Sequence, residues 1–282
     1  MKKPTEFPEQ HQDLPGYENE MKPKPEVIKD SYKGNGKLKE KTVLITGGDS
    51  GIGRSAAVHA AREGANLAII FLSEEEDAKE SQRLIEYEGA KCILLMGDIR
   101  DREFCKMAVK KVVEAFGKVD VLINNAAIQH PKDSILDIEI EDLKETFETN
   151  IYSFFYLVQE ILPQMTSGDS IINTTSVTAY EGNQSLIDYS STKGAIMAFT
   201  RSLSQSLASK GIRVNAVAPG PIWTPLIVAT FEDNKEFGQD TPMQRAGQPS
   251  EVGPAFVFLA SEDSSYMTGQ VLHINGGKII GG

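Results

Sequence analysis

The feature that most constrains this chain is a rhythm. From about residue 41 onward, short continuous apolar runs recur: "TVLIT" (42–46), "NLAIIFL" (66–72), "KCILLMG" (91–97), "VDVLINN" (119–125), "SIINTTS" (170–176), "IRVNAVA" (212–218) and "QVLHI" (270–274). Between them stand amphipathic stretches of helical length, such as "EEDAKESQRLIEYEG" and "REFCKMAVKKVVEAFG". A strand with one wet face alternates apolar and polar residues, whereas one apolar throughout must be covered on both faces. The alternation therefore predicts an α/β fold: a single doubly wound parallel sheet of about seven strands with helices on both faces. No repeat of solenoid length and no second set of strand–helix units is present, so residues 41–282 read as one domain.

Residues 1–40 break the rhythm. They carry Pro4, Pro8, Pro15, Pro23 and Pro25, then the lysine-rich "KDSYKGNGKLKEK", with no period of 2 or 3.6. An extended N-terminal tail is expected there, either disordered or draped over the body or a neighbouring subunit. The charge balance, 40 acidic against 29 basic residues and a net charge of −11, argues against nucleic acid as partner. Nothing approaches the roughly 20 apolar residues of a membrane span, and "MKKPTEFPEQHQDLPG" has no apolar core of a secretory signal. Cys92 and Cys105 form no CxxC pattern, and the four histidines (His11, His59, His130 and His273) do not cluster, so no metal site is expected. These features together predict a cytoplasmic protein with reduced thiols.

The first apolar run leads into "TVLITGGDSGIGR". Four glycines where a strand ends and a helix begins suit either a turn or a backbone that must approach something closely, usually phosphate. The spacing, Gly47-x3-Gly51-x-Gly53, differs from the commoner GxGxxG fingerprint, and no Lys-Ser/Thr follows as in a P-loop. Position adds weight to a ligand without closing the turn reading, which the stretches that follow remove: the loop lies at the carboxyl edge of the sheet, where open α/β folds bind theirs. Further along, "GDIRD" places Asp98 where a carboxylate could accept from an adenine amino group. "NNAA" (Asn124–Ala127) ends a strand with small residues against which a flat ligand can lie. "YSSTK" sets Tyr189 and Lys193 four apart, on one face of a helix.

A tyrosine is a poor acid at its ordinary pKa of about 10. An ammonium one helical turn away stabilises the phenolate and is expected to pull that value toward neutrality. Such a pair suits carbonyl reduction and its reverse, in which an oxygen gains or loses a proton as hydride moves.

Taken in order, these motifs resemble the short-chain dehydrogenase/reductase family over about residues 41–278: TGxxxGxG (Thr46–Gly53), "NNAA", Asn150 in "TNIYS", Ser176 thirteen residues before the tyrosine, YxxxK and "PGPIWT" (Pro219–Thr224). Among its members, glucose/ribitol dehydrogenase-like bacterial stress proteins with a Pro-rich N-terminal extension look most similar. The resemblance implies a Rossmann-type fold and a catalytic set of Asn150, Ser176, Tyr189 and Lys193. Ser176 would orient the substrate oxygen, Lys193 would hold the nicotinamide ribose and Asn150 would hold a relaying water. It places the dinucleotide against Gly47, Asp49, Ser50, Gly51, Ile52, Gly53, Asp98, Ile99, Asn125, Ala126, Ala127, Tyr189, Lys193, Pro219, Gly220, Ile222 and Thr224.

NAD is expected over NADP, because Asp49 and the run Glu74, Glu75, Glu76 and Asp77 would repel a 2′-phosphate. Two features pull the other way: Phe71 stands where an NAD-selecting Asp usually does, and Arg54 could bend toward a phosphate. The substrate is expected to be a small carbonyl or alcohol (sugar, polyol or aldehyde) met by Gln129, His130, "VTAYEGNQSLID" and "PIWTPLIVATFEDNKEF". Trp223 could be a lid residue or plain packing. A catalytically idle dinucleotide-binding sensor is the competing class, and an enoyl reductase is disfavoured because related enzymes space the tyrosine and lysine seven apart. The apolar "IYSFFYLVQEIL" and the family resemblance predict a homotetramer.

Overall fold

The computed structural model describes residues 3–280; the ends of the expected tail (1–2) and domain (281–282) lie outside the described residues. The strands are β1 (Thr42–Thr46), β2 (Asn66–Phe71), β3 (Cys92–Met96), β4 (Val121–Asn124), β5 (Ser170–Thr174), β6 (Arg213–Pro219) and β7 (Val271–Ile274). They form one parallel sheet in the order β3-β2-β1-β4-β5-β6-β7. The order reverses between β1 and β4, and the crevice this opens at the strands' carboxyl ends is where such sheets bind ligands.

The helices are α1 (Gly51–Arg62), α2 (Glu75–Tyr87), α3 (Arg102–Phe116), α4 (Ile140–Phe147), α5 (Ser153–Ile161), the short α6 (Thr178–Glu181), α7 (Ile187–Leu207), α8 (Pro225–Thr230) and α9 (Pro249–Ala260). Their apolar faces cover the sheet on both sides, which is why β1, β5 and β6 are buried at every position. On one side α1 and α9 pack Ala56, Ala60, Val252 and Phe256 against Val43, Ile45 and Ile69. On the other, α3, α5 and α7 pack Val109, Leu157 and Leu207 against Leu44, Leu122 and Val214.

Residues 3–40 hold one helical turn (Glu18–Glu20) in otherwise extended chain, laid across the body as a strap. Phe7, Met21 and Leu38 are buried, and Phe7 stacks on Trp223 with ring centroids 3.7 Å apart. Main-chain hydrogen bonds fasten it at Phe7 N–H to Lys235 O (3.0 Å), Leu38 N–H to Glu63 O (3.0 Å) and Ser250 N–H to Glu26 O (2.8 Å). The compositional boundary near residue 40 is thus no packing boundary.

Candidate active site

One long cleft follows the carboxyl ends of the strands. Its wall takes in Gly47, Asp49, Ser50, Gly51 and Ile52 of the glycine loop, Asp98 and Ile99 after β3, Asn125, Ala126 and Ala127 after β4, Ser176 after β5, Tyr189 and Lys193 on α7, and Pro219, Gly220, Ile222 and Thr224 after β6. Gly53 and Asn150 stand behind that wall.

The loop needs its glycines. Gly47 and Gly51 have φ of +64° and +52°, and a Cβ on Gly53 would sit 1.8 Å from the Gly47 carbonyl oxygen. The Gly51 N–H donates to the Glu18 carboxylate (2.6 Å). The next two N–H groups of α1, on Ile52 and Gly53, have no partner among the described residues. Two open donors at a helix N-terminus beside a cleft suit a diphosphate.

At the other end, α7 carries Tyr189 and Lys193 past the end of β5. The Lys193 ammonium, fully buried, donates to Thr174 O (3.0 Å) and lies 5.2 Å from the Tyr189 ring centre. Thr175 Oγ1 donates to Lys193 O (2.7 Å), which pins this turn of the helix to the strand. Asn150 sits on a π-helical turn (Glu148–Tyr152) between α4 and α5. Its side-chain amide accepts from the Ile128 N–H at Oδ1 and donates from Nδ2 to Ile128 O (both 2.9 Å), and also donates to Thr192 Oγ1 (3.2 Å). Its side chain therefore fixes the cleft wall at Ile128 and, among the described residues, makes no hydrogen bond to Lys193.

A model of the family described as enoyl-(acyl carrier protein) reductase matches residues 47–278. An uncharacterized oxidoreductase of Bacillus subtilis, YhdF, is 58% identical over 96% of this chain and 95% of its own. The chain belongs to the short-chain dehydrogenase/reductase family. Other relatives of this dehydrogenase/reductase are a glucose and ribitol dehydrogenase of Daucus carota (50% identical, 98% of both chains) and an NADPH-dependent aldehyde reductase 1, chloroplastic, of Arabidopsis thaliana (50%, 94% of this chain and 96% of that one). A short-chain dehydrogenase of Burkholderia cenocepacia solved in complex with NADP superposes with a TM-score of 0.81 at 29% identity, covering 86% of this chain and 98% of that one.

The site's electrostatics correct one expectation for this family member. Burial pushes the Tyr189 hydroxyl up to about 12, against the opposing hydrogen bond of Ser176. Burial likewise pushes Lys193 down to about 7. The protein atoms alone thus drive both groups toward their neutral forms, and a lysine that has given up its proton has no charge with which to lower the tyrosine.

Beside the glycine loop, burial and then the charge of Glu74 raise Asp49 to about 7. Burial would also raise Asp98, but hydrogen bonds and charge from Arg100 outweigh it and hold that carboxyl below its usual range. Arg54 is not available to a phosphate. It is buried and donates to Asp49 O and Ser81 Oγ (each 2.8 Å), to Asp77 and to the strap's Glu18.

Of the segments expected to meet a substrate, only part lines this cleft. Gln129 lines the cleft, but His130 does not, nor does any residue of 177–188. His130 lies 3.3 Å from Glu145 instead, and Trp223 is plain packing beneath the strap. Leu14–Gly16, Phe71, Glu74, Arg100, Glu145, Thr149 and Pro225–Ile227 are further parts of the wall. Among the described residues, no cluster of His, Cys, Asp and Glu is placed to hold a metal ion, and no helix is long and apolar enough to cross a membrane.

Proposed function

We propose that this chain moves a hydride between a nicotinamide dinucleotide and the carbonyl or alcohol carbon of a small polar substrate, with Tyr189 as general acid and base. One observation carries the reading: Ser176, Tyr189 and Lys193 stand at one end of a cleft whose other end is the glycine loop with its two open N–H donors. The cofactor would supply or accept the hydride. Gly47, Ser50–Gly53, Ile99, Asn125–Ala127, Pro219, Gly220, Ile222 and Thr224 would hold it, and Asp98 would meet its adenine.

During reduction, the substrate oxygen gains negative charge as hydride reaches its carbon. Ser176 Oγ would hydrogen-bond that oxygen, and the Tyr189 hydroxyl would give it a proton. Lys193, held by Thr174 O, would stabilise the tyrosinate left behind when it carries its proton. Asn150 keeps Ile128, and with it the substrate wall, in place. Gln129, whose amide donates to Thr230 (3.2 Å) at the end of α8, lines the substrate side with Leu226 and Ile227. That mixture suits a sugar, polyol or short aldehyde.

For the cofactor we favour NAD, because Asp49 and Glu74 stand buried together on the cleft wall and Arg54 is engaged. The NADPH-dependent Arabidopsis relative favours NADP. Binding both reduced dinucleotides to the same preparation decides between them. The tetramer reading rests on Tyr152 and Phe155 beside and on α5 and Phe258 on α9, large apolar side chains left 47%, 45% and 36% exposed; a monomer in sedimentation at micromolar concentration refutes it.

A screen of sugars, polyols, short aldehydes and an enoyl thioester, followed at the nicotinamide absorbance band, tests the function. Turnover of a sugar, polyol or aldehyde that vanishes in Tyr189→Phe is the expected result. Dinucleotide binding with no turnover in either direction would favour the idle sensor.

A further inference from the structure

The strap reaches the cleft itself. Leu14, Pro15 and Gly16 line it between Ser50–Ile52 of the glycine loop and Pro225–Ile227 of α8. The fit is close: at Gly16, which has φ of +84°, a Cβ would lie 2.9 Å from Pro225 O and 3.2 Å from Ala229 Cβ. Two residues on, Glu18 is buried at the start of α1, where its carboxylate takes the Gly51 N–H (2.6 Å) and pairs with Arg54. The Glu18 N–H in turn donates to Asp77 on α2 (2.6 Å). On the far side Phe7 and Pro23 hold Trp223, the former by stacking at 3.7 Å, the latter by accepting from its Nε1–H (2.9 Å). One continuous segment thus ties α8 to the first turn of α1 and to α2, all around the diphosphate end of the cleft.

The family model begins at residue 47 and leaves the strap out, whereas the curated relatives match 94–98% of the chain and so extend into it. A cleft lined by the framework alone would lack the wall that Leu14–Gly16 provide.

We propose that the strap is a binding element of the dinucleotide site: Leu14–Gly16 cover the diphosphate stretch of the cofactor, and Glu18 fixes them there through Gly51 and Arg54. This rests on the reading of the cleft as a nicotinamide-dinucleotide site. Whatever touches the bound cofactor must be ordered when it binds, so dinucleotide and strap stabilise one another by the same free energy.

Trp223 is the only tryptophan of the chain, so its emission reports strap docking directly. Three variants, deletion of residues 2–20, Gly16→Val and Phe7→Ala, are compared with the full chain by Trp223 emission, by melting and by titration with NADH and with NADPH. In the full chain, hydrogen exchange of residues 12–22 is measured with and without saturating dinucleotide. Red-shifted emission with dinucleotide affinity about tenfold weaker or more is expected, the worth of one well-packed contact region, together with slowed exchange of residues 12–22 on binding. If the deletion does not fold, the two point variants and the exchange measurement decide. A folded variant with red-shifted emission and unchanged affinity, or exchange in 12–22 that ignores the dinucleotide, overturns the proposal. A full chain that binds neither NADH nor NADPH overturns instead the functional reading beneath it.

Discussion

Replacing Lys193 with methionine should abolish turnover and at the same time stabilise the fold. The lysine is fully buried and, among the described residues, its side chain hydrogen-bonds to Thr174 O alone. Burial brings its pKa from 10.5 down to about 7. A depressed lysine is charged more readily in the unfolded chain, which therefore binds more protons between those two values, so stability rises with pH across that window. At one pKa unit per about 1.4 kcal/mol, the lysine costs on the order of 4 kcal/mol at pH 7 and only about 1 kcal/mol at pH 10.

Methionine fills a similar volume without the charge, but leaves Thr174 O unpaired at roughly 1–3 kcal/mol. The net gain at pH 7 is then about 1–3 kcal/mol, a rise of several degrees in melting temperature for a chain of this size. Denaturant titrations of both proteins at pH 7 and pH 10, without dinucleotide, measure it. The advantage of Lys193→Met should shrink by about 3 kcal/mol at the higher pH. A variant less stable than the parent by the same margin at both values would show that the lysine is not held against its charge, and the reasoning from desolvation would fail.

Tyr189→Phe removes one hydroxyl and keeps the ring; the fold and dinucleotide affinity should persist while turnover drops by about 10²–10⁴, and the alkaline rise in alcohol oxidation should disappear from the pH–rate profile. Asp49, raised from 3.8 to about 7 by burial and Glu74, holds its proton in the folded chain but not in the unfolded one between those values, so stability falls as pH rises from about 4 to about 7 and levels off above. Asp49→Asn should flatten that loss in melts between pH 4 and 7, and should narrow the ratio of NADH to NADPH affinities; an unchanged ratio would remove Asp49 from cofactor choice. Gly53→Ala drives a methyl to 1.8 Å from the Gly47 carbonyl oxygen, which is backbone and cannot yield. Dinucleotide binding should be lost in calorimetry even where circular dichroism shows a folded chain.

What the sequence revealed and what it hid divide along a physical line. The inner strands were legible because burial on both faces writes itself into consecutive residues, as in "TVLIT" and "NLAIIF", while the edge strands β3 and β7, only partly buried, showed as apolar runs all the same. Tyr189 and Lys193 were legible because helical spacing is short-range, and the glycine loop because its glycines answer to backbone geometry a few residues away. The strap's role was not, since its holds are single side chains meeting partners far along the chain: Phe7 on Trp223, Glu18 on Arg54. No periodicity accompanies such contacts. The π-helical turn that turns Asn150 inward is equally silent in the pattern, as one extra residue in a helix shifts nothing that a 3.6-residue period can register. The direction of the tyrosine's shift depends on how much water its pocket excludes, which residue types alone do not state.

Charge around the cleft makes a last point about the strap. Arg54, Glu18 and Asp77 form a buried cluster of one cation and two carboxylates, and burial raises the Glu18 pKa in spite of Arg54. Burying such groups is costly, and an apolar cluster of equal volume is often as stable or more so. What an apolar contact would not do is fix the strap's register, since a hydrocarbon surface tolerates sliding. A carboxylate that must reach both the Gly51 N–H and the Arg54 guanidinium permits one position only. With Glu18 held there, Gly16 falls against Pro225 and Leu14 reaches the cleft. On this argument Glu18→Gln, which keeps size and hydrogen-bonding capacity, should preserve docking as read by Trp223 emission. Glu18→Leu should leave the strap attached through Phe7 but out of register. Its mark would be unshifted Trp223 emission combined with weakened dinucleotide binding; full affinity in Glu18→Leu would show that register is set elsewhere.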